Sequence, residues 1–201
     1  MRPVRLLAGL TMGAALLVPP SLHRKPPSRS EAVPPPAFMR ARLIATTASP
    51  ASGARPSQLT SLPAFSGSLT SSGGAAALEL QLVERDRARA GRPPLTSDPG
   101  LIKAATLRAQ DMLSRRYFSH YDPVTGRLAY PLALGQAGVS YRVAGENIAY
   151  SWPSLSMQWA NQFFMATADH RANILNPAFH RVGIAVLSGG GRTVLVELFA
   201  N

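Results

Sequence analysis

The stretch VGIAVLSGGGRTVLVELF, residues 182–199, decides the fold of this chain. It contains two apolar runs on either side of residues 188–191, which are rich in glycine and can turn, so it predicts a β-hairpin. Side chains alternate between the two faces of a strand. One face would carry Val194, Val196 and Leu198, and the other Leu195 and Phe199. Because both faces are apolar, we expect helices to cover both sides of an antiparallel sheet.

Three helices are predicted ahead of this hairpin. The first spans about residues 78–90 and stops at Gly91, before two prolines. The second has Pro99 in its first turn and ends near residue 116, with Ser97 or Asp98 as its cap. The third covers about residues 155–165, with Ser154 as its cap. Together with the hairpin, these helices predict an α+β fold, a three-layer α-β-α sandwich with a central antiparallel sheet.

The composition limits the classes of function. The chain has 201 residues and no cysteine, which excludes disulfides, thiol chemistry and sulfur-ligated metals. The formal net charge is +11, and residues 1–77 carry eight Lys or Arg against one acid, Glu31. A basic segment of this kind can contact nucleic acid, anionic lipid or an anionic cell wall. No nucleic-acid recognition motif accompanies the charge, so nucleic acid is not an expected partner.

The chain divides into three zones. Residues 1–20 begin with Arg2 and Arg5 and continue in an uncharged, mostly apolar run over residues 6–18, which predicts a signal peptide or an N-terminal anchor. Residues 21–74 are rich in Pro, Ser and Ala, lack apolar periodicity and predict a disordered linker. Patterned sequence occupies residues 75–201. We therefore expect a folded domain that is secreted or attached to the cell envelope.

Four short motifs follow one another within the patterned zone. They are LVERDRARAG with PPL (residues 82–91 and 93–95), YFSH (117–120), GENIA (145–149) and HRANIL (170–175). In this order they resemble the CAP/SCP superfamily (cysteine-rich secretory proteins, antigen 5, pathogenesis-related 1) in its bacterial cysteine-free form. The resemblance covers residues 75–201 and implies the same α-β-α sandwich that the apolar pattern predicts.

The resemblance also implies a shared cleft. In it, His120, Glu146 and His170 would converge, and His120 and His170, with Glu146 as a further ligand, could hold zinc or another divalent cation. Four residues are expected to support this cleft: Asn147, Asp169, Arg171 and Asn173. Tyr117, Phe118 and Tyr121 flank His120 and could form one wall.

The sequence departs from the family in one respect. Many members carry a second acid in the helix before the HRANIL motif, but residues 163–167 contain none. Asp169 or Glu197 could take its place, and the pattern assigns neither. A site with two histidines and one acid would bind metal less tightly.

The resulting hypotheses differ in kind. The first is a non-enzymatic extracellular module that binds a cell-wall polymer, a lipid or a protein, with the basic linker contacting the anionic envelope. The alternative is a zinc-dependent hydrolase for cell-wall or lipid-like substrates, in which Glu146 would be the base. Ser119 is not expected to be a nucleophile, because adjacent side chains of an extended segment point apart. A third possibility is a structural domain whose polar cleft has no present function.

Overall fold

The computed structural model describes residues 68–201 and the backbone of residues 44–48. Six strands and five helices lie in this part of the chain. The strands are β1 (Ile44–Ala48), β2 (Thr70–Ser71), β3 (Thr96–Ser97), β4 (Ala144–Ser151), β5 (Arg181–Gly189) and β6 (Arg192–Ala200). The helices are α1 (Gly73–Arg89), α2 (Pro99–Ser114), α3 (Tyr130–Ala137), α4 (Met157–Ala166) and α5 (Ala168–Ile174).

The strands form one sheet in the order β1-β4-β6-β5-β2, and β3 also pairs with β5. All pairings are antiparallel except the two-residue contact of β3 with β5. The hairpin predicted from residues 182–199 is β5–β6, and its turn uses Gly190 and Gly191 at positive φ, where glycine meets no steric penalty. The antiparallel sheet with helices on both sides is therefore confirmed.

Two apolar clusters lie on opposite faces of the sheet. One cluster joins α2 and α3 to Val194, Val196 and Leu198. The other joins α1 and α4 to Leu195 and Phe199. We call these sides the α2 face and the α1 face. The division of the β6 side chains between them is the one that the alternation predicts.

The helix ends follow local chemistry. The side chain of Asp98 accepts the backbone N–H of Leu101 at 2.9 Å and caps α2, and Pro99 is the first residue of the helix. The cap of α4 is Ser156, which accepts from the backbone N–H of Trp159, and not Ser154 as predicted. The α1 helix begins at Gly73, five residues before the predicted start, because Ser72 caps it.

Regular structure extends into the range assigned to the linker. The strands β1 and β2 both lie within residues 21–74, and β1 pairs with β4 from Ile44↔Ile148 to Ala48↔Ala144. A five-residue strand of Ile, Thr and Ala carries no periodicity, so only its distant partner reveals it. The predicted signal segment and residues 21–43 and 49–67 of the predicted linker lie outside the described residues. Among the described residues, no helix is both long and apolar enough to span a membrane.

Candidate functional site

The GENIA motif forms the first part of β4, and its strand geometry divides the candidate site. Gly145 and Asn147 lie on the α1 side of the strand. A Cβ atom added at Gly145 would contact Asn173 and Phe179 there, and Asn147 is hydrogen-bonded to Asn173. Glu146 points the other way, toward Arg108 of α2. Because successive strand residues alternate, the two polar residues of one motif contribute to two separate clusters.

On the α2 face, Glu146 belongs to a buried polar network. Arg108 Nε donates to Glu146 Oε2 at 2.9 Å, and His120 Nδ1 lies 2.6 Å from Glu146 Oε1. Arg108 and Glu146 are almost completely shielded from solvent, as is His120. Burial alone would raise the pKa of Glu146, but Arg108 and His120 outweigh burial and lower the pKa below its ordinary value. The carboxylate is therefore ionised and engaged on both oxygens.

The same arginine extends the chain of contacts toward the surface. Arg108 donates to the hydroxyl of Tyr117 at 2.9 Å and to the backbone carbonyl of Ser119 at 2.9 Å. The Tyr117 hydroxyl in turn donates to Asp111. These bonds fix residues 117–120, the YFSH motif, against α2 and β4. The network thus joins two family motifs through an arginine outside both.

On the α1 face, Asn147 is the centre of an amide network. Asn147 Nδ2 donates to the backbone carbonyl of His170 at 3.2 Å and to Glu197 Oε2 at 2.9 Å. Asn173 Nδ2 donates to Asn147 Oδ1 at 2.9 Å and to the Glu146 carbonyl at 3.3 Å. This network ties α5 to β4 and β6, and both asparagines hold neighbouring backbone in place.

Two carboxyl groups are buried on the α1 face. Glu79 of α1 and Glu197 of β6 are both fully shielded from solvent. Burial raises the pKa of Glu79, and the neighbouring Glu197 raises it further, to about 10. Burial also raises the pKa of Glu197, to about 7. No lysine or arginine among the described residues is hydrogen-bonded to either group, so at neutral pH the pair retains a proton.

Three further predicted site residues lie in α5, namely Asp169, His170 and Arg171. His170 lies within α5, is buried, and its ring centroid is 5.0 Å from that of Phe164 on the α1 face. Asp169 and Arg171 are exposed, and Arg171 donates to the backbone carbonyl of Met165. The structure thus brings His120 and Glu146 together, and the ring of His170 contacts Phe164.

The expected metal site stays a prediction. Both carboxylate oxygens of Glu146 are already bonded, one by Arg108 and the other by His120. No group of three His, Asp or Glu side chains within residues 68–201 is arranged to hold a metal ion. The candidate site is therefore a cluster of protein side chains, and no chemistry is assigned to a metal.

Ser119 is held in a local turn. Its hydroxyl oxygen accepts the backbone N–H of Tyr121 at 3.0 Å. This bond is typical of a serine that stabilises its own loop. The hydroxyl is therefore engaged with the backbone of its own segment.

Two of the most deeply buried charged residues, Arg108 and Glu79, lie outside the residues that the sequence predicts for the site. Arg108 lies on the buried stripe of α2, four residues after Ala104 and four before Met112. A charged side chain on the buried side of a helix needs a buried partner of opposite charge. This rule could have indicated that Arg108 pairs with Glu146. Glu79 similarly lies on the side of α1 that carries Leu82 and Val83.

Comparison with known proteins agrees with this architecture. The family model described as CAP, the cysteine-rich secretory protein family, matches residues 80–199. The uncharacterized protein YkwD of Bacillus subtilis is 34% identical over 112 residues, which are 55% of this chain and 42% of that protein. The chain thus spans less than half the length of this relative.

Two solved structures are also similar. An extracellular protein containing an SCP domain from Bacillus anthracis has a TM-score of 0.54 and 26% identity, covering 64% of this chain and 40% of that one. An outer surface protein from Borrelia burgdorferi has a TM-score of 0.59 at 16% identity, covering 67% of this chain and 98% of that one, and shows the fold alone.

The α-β-α sandwich, the ordered motifs and the match over residues 80–199 define the class of protein. The chain belongs to the CAP superfamily, in its cysteine-free form.

Proposed function

We propose that this CAP protein is a secreted or surface-tethered binding module that recognises a ligand of the cell envelope without chemical turnover. The observation that carries the proposal is the state of Glu146. Its carboxylate is fully buried, and both oxygens are bonded by Arg108 or His120. These residues act as a rigid frame that holds the YFSH segment in place.

The alternative, a zinc-dependent hydrolase, requires Glu146 to accept a proton from water. A general base needs a free lone pair within hydrogen-bond reach of that water, and a pKa near the working pH. Glu146 has its pKa lowered by Arg108 and His120, against the effect of burial, which makes it a weak base.

An extracellular location is supported by the N-terminal sequence and by one similar structure. Residues 1–20 have the basic start and apolar run of a signal peptide or anchor. The similar structure at 26% identity is described as an extracellular protein. The basic residues of the N-terminal 77 would attract an anionic wall polymer or lipid. The principal partner proposed is therefore an envelope polymer.

The test uses the full chain and its Glu146→Gln variant. Saturable retention on isolated bacterial cell walls is measured by co-sedimentation, and turnover is measured on wall fragments, peptides and esters with zinc present. We expect the parent and the variant to be retained equally, provided that thermal unfolding confirms the variant is folded, and neither to turn over a substrate. Turnover that Glu146→Gln abolishes would establish the hydrolase. Absence of retention on walls would overturn the binding module.

A further inference from the structure

A small open pocket lies at the end of the frame just described. It is formed where the C-terminal end of α2 meets β4 and β6, and its volume is about 200 Å³. Three aromatic side chains, Tyr117, Phe118 and Tyr150, and two arginines, Arg116 and Arg192, contribute to its lining. The remaining lining side chains are aliphatic or methionine. The buried His120 and Glu146 are not part of this pocket.

The charge of the lining is of one sign. Arg116 and Arg192 are both exposed, and the described residues that line the pocket include no acidic side chain. Two guanidinium groups around one concavity attract an anion and suit the geometry of a carboxylate or phosphate.

The walls of the pocket are held in place before any ligand binds. The rings of Phe118 and Tyr150 are in contact, with centroids 4.6 Å apart and planes tilted by 55°. The Tyr117 ring has the guanidinium of Arg115 5.2 Å from its centroid, and its hydroxyl accepts from the buried Arg108. A preformed site loses less conformational entropy on binding than a flexible one.

The size and surroundings limit the ligand further. The pocket is smaller than the roughly 300–1,000 Å³ of sites that enclose drug-sized molecules, so it admits one ring or headgroup and no long acyl chain. Trp152 is 67% exposed and lies against Gly191, the residue before Arg192. An exposed indole beside the mouth offers a flat face on which a further ring can pack.

We propose that this pocket binds one acidic sugar unit, a sugar ring that carries a carboxylate or a phosphate. Arg116 and Arg192 bind the anionic group, and the rings of Phe118, Tyr150 and Trp152 pack against the sugar. The proposal rests on the proposed binding function and names the ligand chemistry of that module. A free oligosaccharide and an envelope-bound polymer would present the same unit.

The experiment titrates the full chain with glucose 6-phosphate and with glucuronate, and compares glucose and inorganic phosphate as matched probes. Binding is followed by tryptophan fluorescence and by amide shifts of Tyr150 and Val194. We expect both acidic sugars to bind saturably, and glucose and phosphate to bind at least tenfold more weakly. The affinity for the acidic sugars should fall at least fivefold in Arg192→Gln and in Arg116→Gln. Arg142→Gln, an arginine elsewhere on the surface, should bind as the parent does.

Each other outcome overturns the proposal in a defined way. Equal binding of phosphate and glucose 6-phosphate would reduce the pocket to a simple anion site. If Arg142→Gln lost as much affinity for the acidic sugars as the pocket variants, the loss would be due to the change in net charge. The wall-retention assay separates failure of the pocket from failure of the binding module. Retention that is unchanged in the Arg116 and Arg192 variants, without sugar binding, would refute the pocket while the binding module stands.

Discussion

The two faces of the sheet both bury glutamate, but under opposite electrostatic conditions. On the α2 face, Glu146 is compensated by Arg108 and contacts His120. On the α1 face, Glu79 and Glu197 face each other, and the polar side chains beside them are the neutral amides of Asn147 and Asn161. The comparison shows that a buried acid can be kept either as a paired anion or as a protonated group.

The stability contributions of the two buried glutamate arrangements change with pH in opposite directions. The pKa of Glu146 is below the ordinary value of 4.5, so its contribution to stability is present above that pH and is lost as pH falls through the folded-state pKa. The pKa of Glu197 is raised to about 7, so its contribution is present below 4.5 and is lost as pH rises from there to about 7. The gain from Glu146 and the loss from Glu197 balance near the ordinary pKa of 4.5, so we expect the two faces to be jointly most stable at about pH 4.5.

The largest effect should come from breaking the pair on the α2 face. Arg108→Met leaves the carboxylate of Glu146 buried without its cation, which costs about 3–5 kcal/mol in the free energy of unfolding. The measurement is a urea titration at pH 7 of the full chain. In the double variant Arg108→Met/Glu146→Gln we expect about half of this loss to be recovered, because a neutral amide costs less to bury than a carboxylate.

Lys103→Met is the matched control for this substitution. Lys103 lies on the same helix and is exposed, so its replacement should change stability by less than about 0.5 kcal/mol. If Arg108→Met were as mild as Lys103→Met, or if the double variant were no more stable than the single one, the account of a compensated anion would be wrong.

How much of this arrangement the sequence predicts depends on the range of the interactions. The cap of α2 by Asp98 and the turn at Gly190–Gly191 depend on residues a few positions apart, and the sequence predicts both regions. The division of the GENIA motif between two faces depends on the strand that contains it. The expectation that His170 lies beside Glu146 comes from the family resemblance, because the spacing of these residues along the sequence cannot show it.

A second effect, smaller and of opposite sign, is expected on the α1 face. In Glu197→Gln the amide oxygen can still accept from Asn147, while the amide N–H₂ can donate to Glu79. The amide at position 197 does not titrate, so the variant does not lose the stability that the parent loses as pH rises. We expect its free energy of unfolding to exceed that of the parent by about 1–2 kcal/mol at pH 8. At pH 5 the two proteins should differ by less than about 0.5 kcal/mol.

The measurement is the pH dependence of urea unfolding between pH 5 and 8. Other titratable side chains lie on α1 and α5, among them Arg85, Asp86 and His170, so the curves are compared as differences from the parent. A variant less stable than the parent at pH 8 would mean that Glu197 is ionised and paired in the native state. That result would remove the contrast between the two faces.

The pairing of β1 shows the limit of sequence reasoning most directly. Residues 44–48 lie about a hundred positions from their partners on β4, and nothing in their composition marks that contact. For Glu79, the sequence predicts a place on the buried side of α1 but does not predict its neighbour Glu197 on β6. Long-range pairing is fixed by the assembled sheet, which local patterns do not encode.

The smallest effect tests how closely the amide network is packed against β4. A methyl group at Gly145 would lie 2.8 Å from Asn173 Oδ1 and 3.1 Å from Phe179 Cζ. Asn173 must shift to admit it, which strains its bonds to Asn147 and to the Glu146 carbonyl, so Gly145→Ala should cost about 1–2 kcal/mol. Gly135→Ala is the control, since Gly135 lies in α3 and no atom lies within 4 Å of its added methyl. This variant should be more stable than the parent by about 0.5 kcal/mol.

Chemical unfolding at pH 6 compares the two variants. If Gly145→Ala were as stable as the parent, the amide network would be loose enough to adapt, and the rigid support inferred for Asn147 would fail.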